Sequence, residues 1–254
     1  MITLSSDFGS PYPAAMKGVI LDRIDADLVD VSHDLPRGDV RAAAFWLEQV
    51  LPWFPPAVHL AVVDPGVGTD RAAVVVRAGE HALVGPDNGS LVPPARALAA
   101  DSDVEVFEVT GVDPDSATFH GRDVFAPAAA DVHAVGVADL HTLDRLRPAD
   151  SFVDLRFPDP DVDSADATGE VLVVDDFGNA ITNVPGDVLA GRVGESATVN
   201  GERVPVRRTF GDVPAGSPLV TVGSHGNVEL DVNDGRGADR FGLTAGDAVE
   251  LGLE

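Results

Sequence analysis

Val58-His59-Leu60-Ala61-Val62-Val63-Asp64-Pro65-Gly66-Val67-Gly68-Thr69 is the stretch on which the reading of the fold turns. An apolar run over 58–63 is what a strand buried on both faces requires. It stops at once in Asp-Pro-Gly, residues that turn a chain. Working outward, the same pattern recurs. Short strands are expected at 2–4, 28–31, 73–76 and 82–84, and helices at 15–24, 40–50 and 125–135, with Asp39 a plausible N-cap for the second. Strands alternating with helices predict an α/β domain with a mainly parallel sheet covered on both faces.

The texture changes after residue 150. Residues 158–166 are acidic, contain two prolines and carry no apolar period, which reads as a linker. Beyond it, β-type segments at 169–174, 196–199, 204–207, 219–222, 228–232 and 248–251 are separated by Gly, Pro, Asp and Asn. They predict a smaller all-β domain, sandwich or barrel. The expected boundaries are 1–150 for the N-terminal α/β domain, 151–168 for the linker and 169–254 for the C-terminal β domain.

Composition excludes several classes of function. The chain has 254 residues, 44% of them hydrophobic, enough for a real core. It carries 42 acidic against 17 basic residues, a net charge of −25. That surface repels nucleic acid and anionic membranes, so neither is an expected partner. The acidic residues are scattered among Ala, Val and Gly, the pattern of a halophilic protein whose carboxylates are screened at high ionic strength. Without cysteine there is no disulfide, thiolate metal site or cysteine nucleophile. The opening MITLSSDFGS reads as a strand rather than a signal peptide, and the cytoplasm is the expected compartment.

Four strands run straight into Gly/Asp/Asn turns, at 3–9, 62–68, 83–89 and 173–179. Ligands of open α/β sheets sit beyond the carboxyl ends of strands, so a polar site built from these turns is expected. Other site classes fail on spacing. Gly66-Val67-Gly68-Thr69-Asp70-Arg71 has arginine where a dinucleotide fingerprint needs its third glycine. His33-Asp34, His120 and Asp123 offer donor types for a metal but lack HxxxH or HxH spacing, so no metal is expected. No GxSxG nucleophile elbow is present.

Six blocks occur in order: Ser6-Asp7-Phe8-Gly9; Tyr12 with Met16-Lys17-Gly18; Asp64-Pro65-Gly66-Val67-Gly68-Thr69 with Arg71; Gly85-Pro86-Asp87-Asn88-Gly89; Thr118-Phe119-His120-Gly121-Arg122-Asp123; and Asp176-Phe177-Gly178-Asn179 with Thr182-Asn183. Together they resemble the S-adenosyl-L-methionine (SAM) hydroxide adenosyltransferase family, relatives of the fluorinase and chlorinase, over essentially the whole chain. The resemblance implies an α/β N-terminal domain and a barrel-like C-terminal one. It also implies a homotrimer with SAM bound between the N-terminal domain of one subunit and the C-terminal domain of the next.

The activity it implies is hydrolysis of SAM to adenosine and methionine, with SAM as substrate and no cofactor. Asp64, Arg71 and His120 fall on the family's water-activating triad, and either Asp64 or His120 can accept the proton. Asp7 falls on the carboxylate that holds the ribose hydroxyls. Asn179 and Phe210 fall on adenine-side positions, Asp175 and Ser224 on methionine-side ones, and Phe8 and Phe177 join them as substrate contacts. Halide-using relatives place tyrosine where Asp64 stands and the fluorinase a serine where Gly121 stands, so water is the expected nucleophile rather than halide. The other alternative is a SAM- or adenosine-binding sensor without turnover. The segment between Gly9 and Lys17 departs from the family by lacking two residues, one of them acidic.

The charge balance carries its own prediction. At about 1 M salt the screening length falls to about 3 Å, against about 10 Å at 0.1 M. Activity and subunit assembly should both need molar salt, checked by light scattering and turnover across a KCl series. An intact, fully active assembly in dilute buffer would overturn that expectation.

Overall fold

The computed structural model describes residues 1–99 and 102–253, so the last residue of the expected 169–254 domain lies outside it. The chain divides into two compact units, Met1–Arg156 and Phe157–Glu254. In the first unit, strands β1 (Ile2–Ser6), β2 (Leu28–Ser32) and β3 (Val58–Val62) alternate with helices α1 (Tyr12–Arg23) and α2 (Val40–Val50). There follow β4 (Ala73–Ala78), β5 (His81–Pro86), α3 (Val92–Ala99), β6 (Glu105–Val109), α4 (Ala126–Val135) and β7 (Leu146–Pro148). The sheet order is β2-β1-β3-β5-β4-β6-β7.

β2, β1, β3 and β5 pair in parallel, the first three linked by crossover helices as parallel strands require. β4, β6 and β7 extend the sheet antiparallel, and the two-residue turn at Gly79 and Glu80 makes a hairpin of β4 and β5.

Alternation of side chains across the sheet separates two cores. Leu60, Val62, Val75 and Val84 face α1 and α4, packing with Met16, Ile20, Phe125 and Ala129. Ala61, Val63, Val74, Val76 and Leu83 face the other way, against Ala43, Leu47, Leu91 and Ala95. The continuous apolar run over 58–63 is thereby explained, because both faces are covered. β2 and β3 lie on opposite sides of β1 and their crossover helices on opposite faces, which opens a crevice at the carboxyl ends of β1 and β3.

Helix α2 spans the expected residues and is capped by Asp39, which accepts from the Ala42 amide at 2.9 Å. α1 starts three residues earlier than expected, with Pro13 in its first turn, where a missing N–H costs nothing. α3 is an element for which the sequence analysis gave no helix; its Pro93 and Pro94 too sit in a first turn. A π-helical turn, Gly121–Phe125, precedes α4. No helix among the described residues is long and apolar enough to cross a membrane.

The second unit contains β8 (Asp161–Val162), β9 (Asp166–Val174), β10 (Ala180–Pro185), β11 (Ser196–Val199), β12 (Glu202–Pro205), β13 (Pro218–Val222), β14 (Asn227–Val232), helix α5 (Gly237–Phe241) and β15 (Ala248–Gly252). Every strand pairing in its sheet is antiparallel, in the order β12-β11-β15-β9-β10-β14-β13. A parallel bridge from Val206 to Val220 nearly closes it into a barrel, filled by residues such as Val171, Val184, Val204, Val228, Leu230 and Val249. Part of the stretch expected as linker is already in this sheet: β8 pairs with β9, which begins at Asp166.

Leu60 is fully buried at the centre of the first core. Leu60→Ala should cost about 2–5 kcal/mol, read from the urea unfolding midpoint. A loss below about 1 kcal/mol would mean that the strand is not packed as described.

Candidate active site

Asp7, Phe8 and Asp64 come from loops at the carboxyl ends of β1 and β3, Arg71 from the end of the β3–β4 loop, and His120 from the segment between β6 and α4. Past β3 the chain turns tightly, with Thr69 bonding the Gly66 carbonyl through both its hydroxyl, at 2.7 Å, and its amide, at 3.2 Å. Gly68 has φ 81°, and a Cβ there would lie 2.8 Å from the Ala117 carbonyl oxygen. The loop thus packs against the segment leading to His120 only because residue 68 has no side chain.

This turn presents Asp64, whose Oδ2 accepts from Arg71 Nη2 at 2.5 Å. Both side chains are nearly buried, 6% and 11% exposed. Arg71 is fixed from two further directions, by a hydrogen bond to the Ala72 carbonyl and by the Phe125 ring 5.2 Å from its guanidinium carbon. Its Nη2 also lies 3.5 Å from His120 Nδ1. Burial pushes the Asp64 carboxyl above the ordinary carboxylate range; Arg71, His120 and the Gly66 amide pull it down without cancelling that effect.

Asp64 and His120 line a cavity of about 580 Å³, together with Asp7, Phe8, Tyr12 and Arg37. Asp7 is held by the Gly38 amide, which donates to its Oδ2 at 2.7 Å. Phe8, Tyr12 and Phe119 meet edge to face, with centroids 5.5–6.2 Å apart. Five of the sequence-predicted site residues (Asp7, Phe8, Asp64, Arg71 and His120) are therefore gathered in one region. Arg37 is a cavity residue the sequence reading missed. Its only signal was position, since it follows β2 and so shares the carboxyl-end rim.

The remaining five lie in the second unit. Asp175 accepts from both the backbone and side-chain nitrogens of Asn179, at 2.8 and 3.0 Å, which closes the β9–β10 turn. Phe177 stands 79% exposed at its tip. Phe210 opens a short helical turn capped reciprocally by Thr209 and Asp212. Ser224 lies in the exposed β13–β14 turn. The pairing of Ala180 with Leu230 puts Asp175 at the far end of β14 from Ser224. On β14, Glu229 and Asp231 are buried, and Glu229 pairs with His225 at 3.1 Å.

Burial, then Glu229 and Asp175, pushes the Asp231 carboxyl up to about 8. Neither of its oxygens has a hydrogen-bond partner among the described residues. The folded state therefore binds this proton more tightly than the unfolded chain does. Its contribution to stability falls as pH rises from the ordinary carboxylate range to about 8, and is level above that. Asp231→Asn should be more stable than the parent at pH 9, by on the order of 5 kcal/mol, with the gap vanishing near pH 4. Urea unfolding at the two pH values checks this; equal stabilities at pH 9 would contradict it.

With this geometry established, comparison with known proteins is informative. Residues 2–143 match the SAM hydroxide adenosyltransferase N-terminal domain and residues 169–250 its C-terminal domain. The chain is 44% identical to a Thermus thermophilus protein named (R)-S-adenosyl-L-methionine hydrolase, over 97% of both chains. It is 42% identical to a Salinispora tropica protein of the same name, over 98% of this chain and 97% of the relative. An uncharacterized conserved protein from Thermotoga maritima, of known crystal structure, superimposes with a TM-score of 0.83 at 33% identity, covering 99% of each chain. The chain belongs to the SAM hydroxide adenosyltransferase family.

Proposed function

We propose that this protein is an enzyme that hydrolyses SAM to adenosine and L-methionine, and that Asp64 is the base. The observation that carries this reading is the Asp64–Arg71–His120 group, in which Arg71 joins Asp64 and His120 and these two stand on the wall of one cavity. A binding protein has no need of a buried carboxylate braced by an arginine. An enzyme that uses water does, because water is a weak nucleophile and must lose a proton as it attacks.

The leaving group makes no such demand. Sulfur in SAM is already a sulfonium, so the C5′–S electron pair returns to it and methionine departs neutral at sulfur. Water oxygen forms the new bond to C5′, and its proton passes to Asp64 and then to solvent. Raised above the ordinary carboxylate range by burial, the Asp64 carboxyl is a better proton acceptor than an exposed one. Arg71 keeps the carboxylate ionised and oriented, and the Phe125 ring limits its movement. No cofactor is needed, since the substrate brings its own activated bond.

Asp7, on the wall of the same cavity as Asp64, holds the ribose hydroxyls, with Phe8 beside it in the chain. Asn179, Phe210 and Phe177 serve the adenine side and Asp175 the methionine side, from a neighbouring subunit of a homotrimer; Ser224, at the other end of β14, is not brought beside Asp175 and is left out of this reading. The compartment is the cytoplasm. The relatives are named for the (R) sulfonium epimer, and we extend that preference to this chain. Water is favoured over halide on two grounds. An ionised Asp64 repels an anion, and a Cβ at Gly121 would lie 3.1 Å from Met16 Sδ and 3.2 Å from the Phe119 ring, so a serine there is not accommodated without displacement.

The test is incubation with each SAM epimer in molar KCl and ¹⁸O-labelled water, with mass spectrometry of the products. Labelled adenosine is expected, with the (R) epimer consumed faster and no 5′-chloroadenosine. Asp64→Ala should lower kcat by about 10²–10⁴-fold. SAM that stays bound but intact would make this a binding protein, and chloroadenosine would make it a halide enzyme.

A further inference from the structure

A second polar network, outside the triad, runs through the carboxyl-end rim of the first unit. The register of β1 on β2 slips between Leu4 and Ser5, so that Leu4 pairs with Asp30 but Ser5 with Ser32. The slip brings the next residues, Ser6 and His33, side by side. Ser6 Oγ lies 2.7 Å from His33 Nδ1, and His33 Nε2 lies 3.0 Å from Asp30 Oδ1. The other Asp30 oxygen accepts from Lys17 Nζ of α1 at 2.6 Å.

A serine, a histidine and an aspartate in a row invite the reading of a nucleophilic triad. Two observations reject it. Ser6 is completely buried, so no substrate reaches its hydroxyl. The imidazole is also reversed: in hydrolytic triads Nε2 serves the serine and Nδ1 the carboxylate. Here the carboxylate, an acceptor only, fixes the proton on Nε2. Nδ1 is then left to accept from the Ser6 hydroxyl.

What the network does hold is the segment that follows. Ser6 directly precedes Asp7 and Phe8, both on the cavity wall. Four hydrogen bonds join the 6–9 segment to 33–38: Ser6 Oγ to His33, the Leu35 amide to the Ser6 carbonyl, the Gly9 amide to the His33 carbonyl, and the Gly38 amide to the Asp7 carboxylate. His33 contributes the only side chain among them that reaches onward, through Asp30 and Lys17, to a helix packed in the core. Its imidazole is largely enclosed, with 16% of the side chain exposed.

We propose that His33 is a positioning residue: braced by Asp30 and Lys17 and acting through Ser6, it sets the Asp7 carboxylate for the ribose hydroxyls of the substrate. This rests on the reading of Asp7 given above. Ribose contacts hold substrate and transition state alike, so their loss should appear in KM rather than in kcat.

The experiment is steady-state kinetics on SAM for the parent, His33→Ala, His33→Asn, Ser6→Ala, Asp7→Ala and the Asp7→Ala/His33→Ala double variant, each first shown to be folded by circular dichroism. His33→Ala should raise KM about tenfold and change kcat less than about threefold, and Ser6→Ala should move KM the same way. Asn at 33 places an acceptor where Nδ1 was, and should bring KM back to within about threefold of the parent. In the double variant KM should be no higher than in Asp7→Ala alone, since His33 acts only through Asp7. Additive effects, or an unchanged KM in folded His33→Ala and Ser6→Ala, would overturn the proposal. So would a KM rise in His33→Ala without one in Asp7→Ala, which would also remove Asp7 from ribose binding. A parent that leaves SAM intact would instead defeat the hydrolase reading. In that case the same series is read in the Kd for SAM, with the same pattern expected and the same outcomes overturning the proposal.

Discussion

The contact between Asp64 and Arg71 constrains everything around it. Two opposite charges taken out of water are costly, and the pair is tolerable only if its geometry is held; removing one partner of such a pair typically costs about 3–5 kcal/mol. Several features of the first unit can be read as meeting that demand. β3 delivers Asp64 from a doubly covered strand, β4 begins two residues after Arg71, and the π-helical turn sets Phe125 beneath the guanidinium. The glycine at 68 lets the loop close on the segment that brings His120. A cavity wall that carries Asp64 held by Arg71 is therefore a property of the whole sheet, and not of one loop.

Electrostatics at longer range works against the same centre. A chain of net charge −25 surrounds its own carboxylates with more carboxylates, which favours protonation. Arg71 supplies a local positive charge next to Asp64 that distant screening by salt cannot replace. The arginine and the saline surface thus act on different scales: one sets the ionisation of a single group, the other the cohesion of the molecule.

Much of this was legible in the sequence where a local pattern carried it. The buried strand at 58–62, the capped helix at Val40–Val50 and the change to short β segments late in the chain all follow from periodicity and turn chemistry. Other elements were not. α3 was hidden by Pro93 and Pro94, which break a helix only when they fall inside it. β8 was hidden because an acidic strand with both residues exposed has no apolar signature. Of the candidate site, the residues at strand ends could be named in advance. The relay through His33 could not, because it depends on a one-residue slip in register between β1 and β2 and on partners 27 residues apart. Arg37 was missed because its place after β2 on the cavity rim is set by the fold and carries no local motif.

Lys17 is the only lysine in the chain, and its ammonium is committed to Asp30 in the brace behind the cavity rim. For amine-directed chemistry the protein therefore offers a single ε-amino group, 31% exposed as a side chain. Acylation there would cancel one of 17 basic charges, and the one joined to the segment before Asp7. A reagent that would merely decorate the many lysines of an ordinary protein has, in this one, a single side chain to address.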